Sequence, residues 1–163
     1  MNCTFSILIT TKNRLEDLQL TLQKIAHLLQ REDVECIVYD DGSTDNTSEF
    51  LKVNHTNIQL LTNEKSKGLI HNRNYLLNNC KGSFAISLDD DSNFITENSL
   101  EIIDNHFKAN VNCGVIACRI FWGKEEPLTF HTNQVVQRVS GFVGCGHVWN
   151  LKACKAIPNY PEW

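Results

Sequence analysis

Three consecutive carboxylates, Asp89, Asp90 and Asp91, directly follow the apolar run Phe84-Ala85-Ile86-Ser87-Leu88. Carboxylates placed where a buried strand surfaces repel one another, which raises at least one pKa unless a cation joins them. Hard oxygen ligands of this kind suit magnesium or manganese, ions that take one or two carboxylates and complete their shell with water and substrate phosphates. Residues two apart on an extended segment point the same way, about 7 Å apart. One carboxylate could therefore hold the metal while its neighbour holds a ribose. The ordinary alternative is a solvated acidic turn.

Two further polar runs share this placement. Thr10-Thr11-Lys12-Asn13-Arg14 follows the apolar segment that begins at Phe5, and Asp40-Asp41-Gly42-Ser43-Thr44-Asp45 follows the one that ends at Tyr39. Taken singly each is explained by helix capping or a tight turn. Their common position decides more, because ligands of open parallel sheets bind outside the carboxyl ends of the strands.

The elements that must position these runs alternate between short Ile/Val/Leu/Phe segments and longer segments of helical period, the pattern of βαβ units around a parallel sheet. Strands are expected at Phe5 to Thr10, Glu35 to Tyr39, Ile58 to Thr62, Phe84 to Leu88 and Gly114 to Cys118. Leu15, Leu18, Leu22, Ile25 and Leu29 recur at spacings of three and four and predict one helix with a single apolar face. Ser43 or Thr44 reads as the cap of a second helix over Asp45 to Val53. A third is expected from Leu69 to Cys80, ending at Gly82, and a fourth from Glu97 to Ala109. Beyond Arg119 the texture turns to loops and irregular strands, a cleft wall rather than another regular repeat.

Size and charge bound what such a sheet could serve. The 163 residues fit one domain, 1–163, long enough to bury roughly 70% of the surface the unfolded chain would expose. The net charge is -4 and the 15 basic residues are dispersed, so nucleic acid is not an expected partner. The seven cysteines form no Cys-x-x-Cys pair, which points to reduced thiols rather than disulfides or a zinc site. No apolar run approaches membrane-spanning length and no basic-then-apolar segment opens the chain, so a cytoplasmic protein is expected.

In combination the polar runs resemble the family 2 glycosyltransferases. The resemblance rests on Thr10-Thr11-Lys12-Asn13-Arg14, on Val38-Tyr39-Asp40-Asp41-Gly42-Ser43-Thr44-Asp45, on Asn63 with Lys67-Gly68-Leu69 and Arg73-Asn74, and on Leu88-Asp89-Asp90-Asp91. It covers roughly the first 120 of the 163 residues, and more loosely the glycine-rich stretch Gly141 to Trp149. It implies a GT-A type fold, a three-layer α/β/α sandwich with a mostly parallel central sheet, and transfer of a sugar from a nucleoside diphosphate, a UDP-sugar being favoured, with inversion. By this resemblance Thr10, Thr11, Asn13, Arg14, Asp40, Asp41, Arg73, Asp89 and Asp90 form the nucleotide-sugar set. Thr10 and Asp41 would meet the nucleobase, Asp41 accepting from an imide N–H such as that of uracil. Arg73 would lie near the base or phosphates, and Asp90 could contact the sugar. Asp89 and Asp91 correspond to the Asp-x-Asp motif, Asp89 toward the ribose and both belonging to the site of a Mn2+ or Mg2+ cofactor. The implied acceptors are saccharides or lipid-linked sugars, which leaves room for peripheral contact at the inner face of a membrane in a longer form.

One part of the family pattern is missing. An inverting transfer needs a base for the acceptor hydroxyl, and in the family an acidic pair downstream of the glycine-rich stretch supplies it. No Glu-Asp pair follows Gly146. The expectation is therefore a chain that lacks the C-terminal acceptor part, or a module that binds donor without completing transfer. Glu125, Glu126 and Glu162 are carboxylates with no evident claim to the role. His147 and Cys145 read as a packed histidine and a buried thiol. A receiver-like phosphoacceptor domain built on Asp40 and Asp41 is the remaining rival, and it gives Asp89 to Asp91 no role. Nucleotidyltransferase and dinucleotide-binding readings fail because no glycine-rich loop follows the first strand.

Overall fold

The computed structural model describes residues 3–123, 136–154 and 160–161. The strands are β1 (Phe5–Thr11), β2 (Val34–Asp40), β3 (Gln59–Thr62), β4 (Phe84–Asp89), β5 (Val115–Ala117) and β6 (His147–Asn150). The helices are α1 (Leu15–Lys24), α2 (Ala26–Leu29), α3 (Thr47–Asn54), α4 (Leu69–Asn79), α5 (Ser99–Ala109) and α6 (Leu151–Cys154). The strands form one six-stranded sheet in the order β3-β2-β1-β4-β6-β5. β1 to β4 pair in parallel, and β6 runs antiparallel between β4 and β5.

All seven residues of β1 are buried, as a central parallel strand covered on both faces requires. On one face Ile7, Ile9, Val38, Ile86 and Leu88 meet Leu18, Leu22, Ile25 and Leu28 of the first helical segment, Leu51 of α3 and Leu100, Ile103 and Phe107 of α5. On the other, Leu8, Ile37, Tyr39 and Ala85 meet Leu76 of α4, with Trp149 and Cys154. The result is the expected three-layer sandwich with a mostly parallel sheet. Gly82 lets the α4–β4 turn lie against β1, since a Cβ there would stand 2.6 Å from Ser6 Oγ and 2.8 Å from its backbone nitrogen.

Several elements depart from the sequence reading. The expected single helix from Leu15 to Leu29 breaks at Ile25, whose φ of -95° and ψ of 7° leave the helical range. Ile25 and Leu28 are each 1% exposed, so the break keeps both apolar side chains in the core. The cap position of α3 is Asn46, neither Ser43 nor Thr44, and Asp45 Oδ1 accepts from the Thr47 N–H and hydroxyl just ahead of it. The stretch around Gly141–Gly146 ends in a regular strand, β6, which a four-residue run behind glycines does not announce. Asp90 and Asp91 lie in a turn beyond β4, so the extended, two-apart geometry expected for Asp89 and Asp91 does not occur.

Candidate functional site

β2 and β3 lie on one side of β1 and β4 on the other, so the loops after β1 and β4 part at the point where the strand order reverses. A crevice forms at such a point. The register sets Thr10 beside Tyr39 on one flank and Asp89 on the other, and the Asp41 N–H donates to the Thr11 carbonyl at 2.9 Å. The three polar runs therefore meet at one sheet edge.

Asp41 is 6% exposed and its carboxylate is fully matched. Oδ1 accepts from Asn63 Nδ2 at 2.7 Å and the Lys67 N–H at 2.8 Å, and Oδ2 from Ser66 Oγ at 2.6 Å and the Gly68 N–H at 3.0 Å. Burial works against its charge, but the donors from Ser66, Lys67 and Asn63 outweigh it and hold the carboxyl well below the usual carboxylate range. Asn63 is fixed in turn by the Tyr39 hydroxyl at 3.1 Å and by donation to Asn72 Oδ1 at 2.9 Å. α4 accordingly turns Asn72 and Asn74 toward the sheet, where an ordinary helix would place apolar residues. Gly68 enters that helix at φ 93°, a left-handed conformation that favours glycine.

Asp40 is 1% exposed and serves the fold. It accepts from the Ser43 N–H at 2.8 Å and from the Ser48 hydroxyl, holding the turn into α3. Asn13 joins two loops: its N–H donates to Ser43 Oγ at 2.9 Å and its Oδ1 accepts from the Thr44 N–H at 2.6 Å. Both residues sit at the site edge with their polar atoms committed to its walls. Thr10 and Thr11 are 8% and 4% exposed. The Thr10 hydroxyl has no hydrogen-bond partner among the described residues, and that of Thr11 lies beside Asp90 without reaching full hydrogen-bond geometry.

The acidic triplet is divided between two arginines. Asp89, at the end of β4, pairs with Arg73 of α4, whose side chain is 10% exposed and whose Nε–H finds no partner among the described residues. Gly144 of the glycine-rich stretch backs this pair, with its Cα so close that an added Cβ would stand 2.9 Å from Arg73 Nη1. Asp90 and Asp91 face the other way, to Arg14. Nε contacts Asp90 at 3.0 Å, and Nη2 contacts Asp91 at 2.7 Å and Asp17 at 3.1 Å. Burial, together with the charges of Asp91 and Asp89, raises the Asp90 pKa despite Thr11 and Arg14. Thr21 Oγ1 ties the turn to α1 through the Asp90 carbonyl at 2.9 Å.

Beneath Arg73, the Tyr160 hydroxyl meets His147 Nε2 and accepts from Trp149 Nε1 at 2.9 Å. Asn74 fixes Tyr160 through both backbone groups, at 2.9 Å each. His147 is fully buried and its pKa is lowered to about 4, by burial first and then by the Arg73 charge. The packed-histidine reading fits this position. Burial raises the Cys145 thiol, the opposite of what a nucleophile needs. Glu125, Glu126 and Glu162 lie outside the described residues. Among the described residues no group of three or more His, Cys, Asp or Glu side chains is arranged to hold a metal, and no helix is long and apolar enough to cross a membrane.

The model of glycosyl transferase family 2 matches residues 6–158. This chain belongs to that family. Chondroitin synthase of Escherichia coli is 26% identical over 122 residues, which are 73% of this chain and 16% of that protein. The glucosyltransferase WfgD of the same organism, described as UDP-Glc:alpha-D-GlcNAc-diphosphoundecaprenol beta-1,3-glucosyltransferase, is 40% identical over 80 residues, 48% of this chain and 31% of WfgD. Among solved structures, the mannosyltransferase PcManGT of Pyrobaculum calidifontis, in complex with GDP-Man and Mn2+, superposes with a TM-score of 0.73. The superposition spans 96% of this chain and 47% of PcManGT at 17% identity. TarS 1-349 of S. aureus with UDP-GlcNAc gives 0.69 over 94% of this chain and 47% of that chain, at 19% identity. These likenesses fix the fold as GT-A type. The chain spans about half the length of these structures and less than a third of the curated relatives it matches. Family membership also sets aside the receiver-like reading of Asp40 and Asp41.

The sequence reading missed Ser66, Asn72 and Tyr160, which hold Asp41, Asn63 and His147 in place. Uncharged polar residues in loops and helices carry no distinctive spacing, so only the sheet reveals that they converge.

Proposed function

We propose that this chain is the donor-binding part of an inverting glycosyltransferase, taking a nucleoside-diphosphate sugar, a UDP-sugar by preference, together with a divalent cation. The observation that carries the reading is the convergence of Thr10, Asp41, Arg73 and Asp89 at the reversal point of the sheet. It joins an unmatched hydroxyl, an ionised acceptor and a cation backed by bare backbone in one crevice. Structural neighbours bind GDP-Man or UDP-GlcNAc, and the match with WfgD supports a UDP-linked donor.

Asp41 stays ionised at any physiological pH and can only accept, so it favours bases that present an N–H, such as uracil or guanine. A base would share this carboxylate with the four protein donors or displace one of them. Thr10 offers the nearby hydroxyl. Arg73 brings positive charge to the diphosphate side, and Asp89, steadied by Arg73, faces the ribose.

The donor set fits a hard divalent cation. Asp91 is half-exposed and offers hard oxygen donors, and one or two carboxylates suit an ion that takes most of its shell from water and phosphates. Asp91 would hold it, and Asp89 would join only by leaving its Arg73 partner on the other side of the turn. The cation supplies Lewis-acid neutralisation of the charge that grows on the diphosphate leaving group. The chain's own residues orient the donor: Asp41 and Thr10 at one end, Arg73 and the acidic turn at the other.

Turnover separates a complete enzyme from a donor-binding module. Incubation with UDP-sugars and Mn2+, with and without saccharide or lipid-linked acceptors, and quantification of released UDP makes the distinction. Acceptor-dependent UDP release supports transfer by this chain. Tight donor binding without release assigns it the donor-binding role alone. Absence of both contradicts the reading.

A further inference from the structure

Arg14 holds the acidic turn in the way a bound cation would. Its guanidinium spans Asp90 through Nε at 3.0 Å and Asp91 through Nη2 at 2.7 Å. Without it, two adjacent carboxylates, one of them 7% exposed, would face each other uncompensated. The same Nη2 also reaches Asp17, one turn into α1, at 3.1 Å. Arg14 is therefore shared between a carboxylate of the proposed metal site and one that is not part of it.

Room for movement is present as well. Arg14, Asp17 and Asp45 border an open cleft of about 590 Å3. A guanidinium that is 44% exposed can swing into this cleft, while the neighbouring backbone is held by the Asp45 contact to the Leu15 N–H at 3.3 Å.

We infer that Arg14 is the resident counter-ion of the metal site: it neutralises Asp91 while the cation is absent and hands Asp91 over by shifting onto Asp17 when the cation enters. The inference rests on the reading of Asp91 as metal ligand. Arg14 acts in this scheme as a positioning residue, through Asp90 and Asp91. Its consequence is that the metal must displace a charge-assisted contact, so loading is weakened in the free chain.

The test is Mn2+ binding in the presence of UDP, read from the electron paramagnetic resonance signal of free Mn2+. Exposed ion pairs of this kind shift equilibria by up to about fivefold. Arg14→Met is expected to tighten Mn2+ binding by about that factor and to lower the melting temperature in chelator, with Mn2+ restoring it. Lys12→Met removes the same charge from an exposed neighbour and is expected to change affinity less than twofold, on the weak end of exposed pairs. Asp17→Asn removes the alternative partner and is expected to weaken Mn2+ binding, whereas Glu16→Gln is not; this pair of variants keeps the test decisive if Arg14→Met does not fold. Unchanged or weaker binding in Arg14→Met, or equal effects of Arg14→Met and Lys12→Met, overturns the inference and leaves Asp91 as ligand. Absence of Mn2+ binding to the unaltered chain with UDP removes the metal reading itself, and the inference with it.

Discussion

Gly144 stands so close over the Arg73 guanidinium that a Cβ there would be 2.9 Å from Nη1, and the arginine would have to move aside. A backbone from the second half of the chain thus sets the position of the Arg73 side chain on α4. Gly144→Ala is expected to push Arg73 off its Asp89 partner. Because a long side chain yields more easily than backbone, the melting temperature should stay within about 2 °C. UDP affinity, measured by calorimetry with Mn2+ present, should fall about tenfold, roughly 1.4 kcal/mol.

Asp41, proposed above to meet the nucleobase, is the knot of the segment from Asn63 to Gly68. Asp41→Ala strands the buried Asn63 amide and releases the part-buried donors of Ser66, Lys67 and Gly68 that close the loop over it. A loss of about 2–4 kcal/mol in urea unfolding is expected, with loss of nucleotide binding at temperatures where the variant remains folded. A stability change below about 0.5 kcal/mol would mean that the network is not formed in solution.

His147 gives the stability curve a defined slope. Its folded pKa of about 4 lies below the ordinary 6.5, so the folded chain binds this proton less readily than the unfolded chain. The contribution is full above pH 6.5 and is lost as pH falls from there toward 4. Its upper limit is about 3 kcal/mol. Replacement by phenylalanine should flatten this window in a pH series of urea midpoints. Asp41, whose pKa is lowered, adds its own loss only below pH 4, and that loss should remain in the His147 variant.

The sheet was legible because β1, β2 and β4 are continuous apolar runs ending in charged or hydroxylic residues. The placement of Thr10, Asp41, Arg73 and Asp89 around one edge follows from that pattern and from the family resemblance. The roles of Asp40 and Asn13 were not legible. Both belong to the same polar runs, yet their oxygens face Ser43, Ser48 and Thr44 rather than the crevice. Neighbouring aspartates such as Asp40 and Asp41 look alike in sequence, and the alternation of the strand sends one under α3 and the other toward α4. The split of the acidic triplet between Arg73 and Arg14 was hidden for a related reason, because a turn begins at Asp90 where an extended segment was expected. β6 left little signal, since a four-residue strand between glycines and a short helix lacks a measurable period.

The central claim is metal-dependent binding of a nucleoside diphosphate at the sheet edge. The most direct test is thermal unfolding with UDP, GDP, TDP and ADP, each with Mn2+ and with chelator, for the unaltered chain and for Asp91→Asn. At a ligand concentration about 100 times its dissociation constant, binding stabilises by roughly 2.7 kcal/mol, about 5–10 °C for a chain of this size. The expected result is a shift seen with UDP and Mn2+, smaller or absent with ADP, and lost both in chelator and in Asp91→Asn. A UDP shift of equal size in chelator or in Asp91→Asn would contradict the metal assignment, and no shift with any nucleotide would contradict the donor site in this chain.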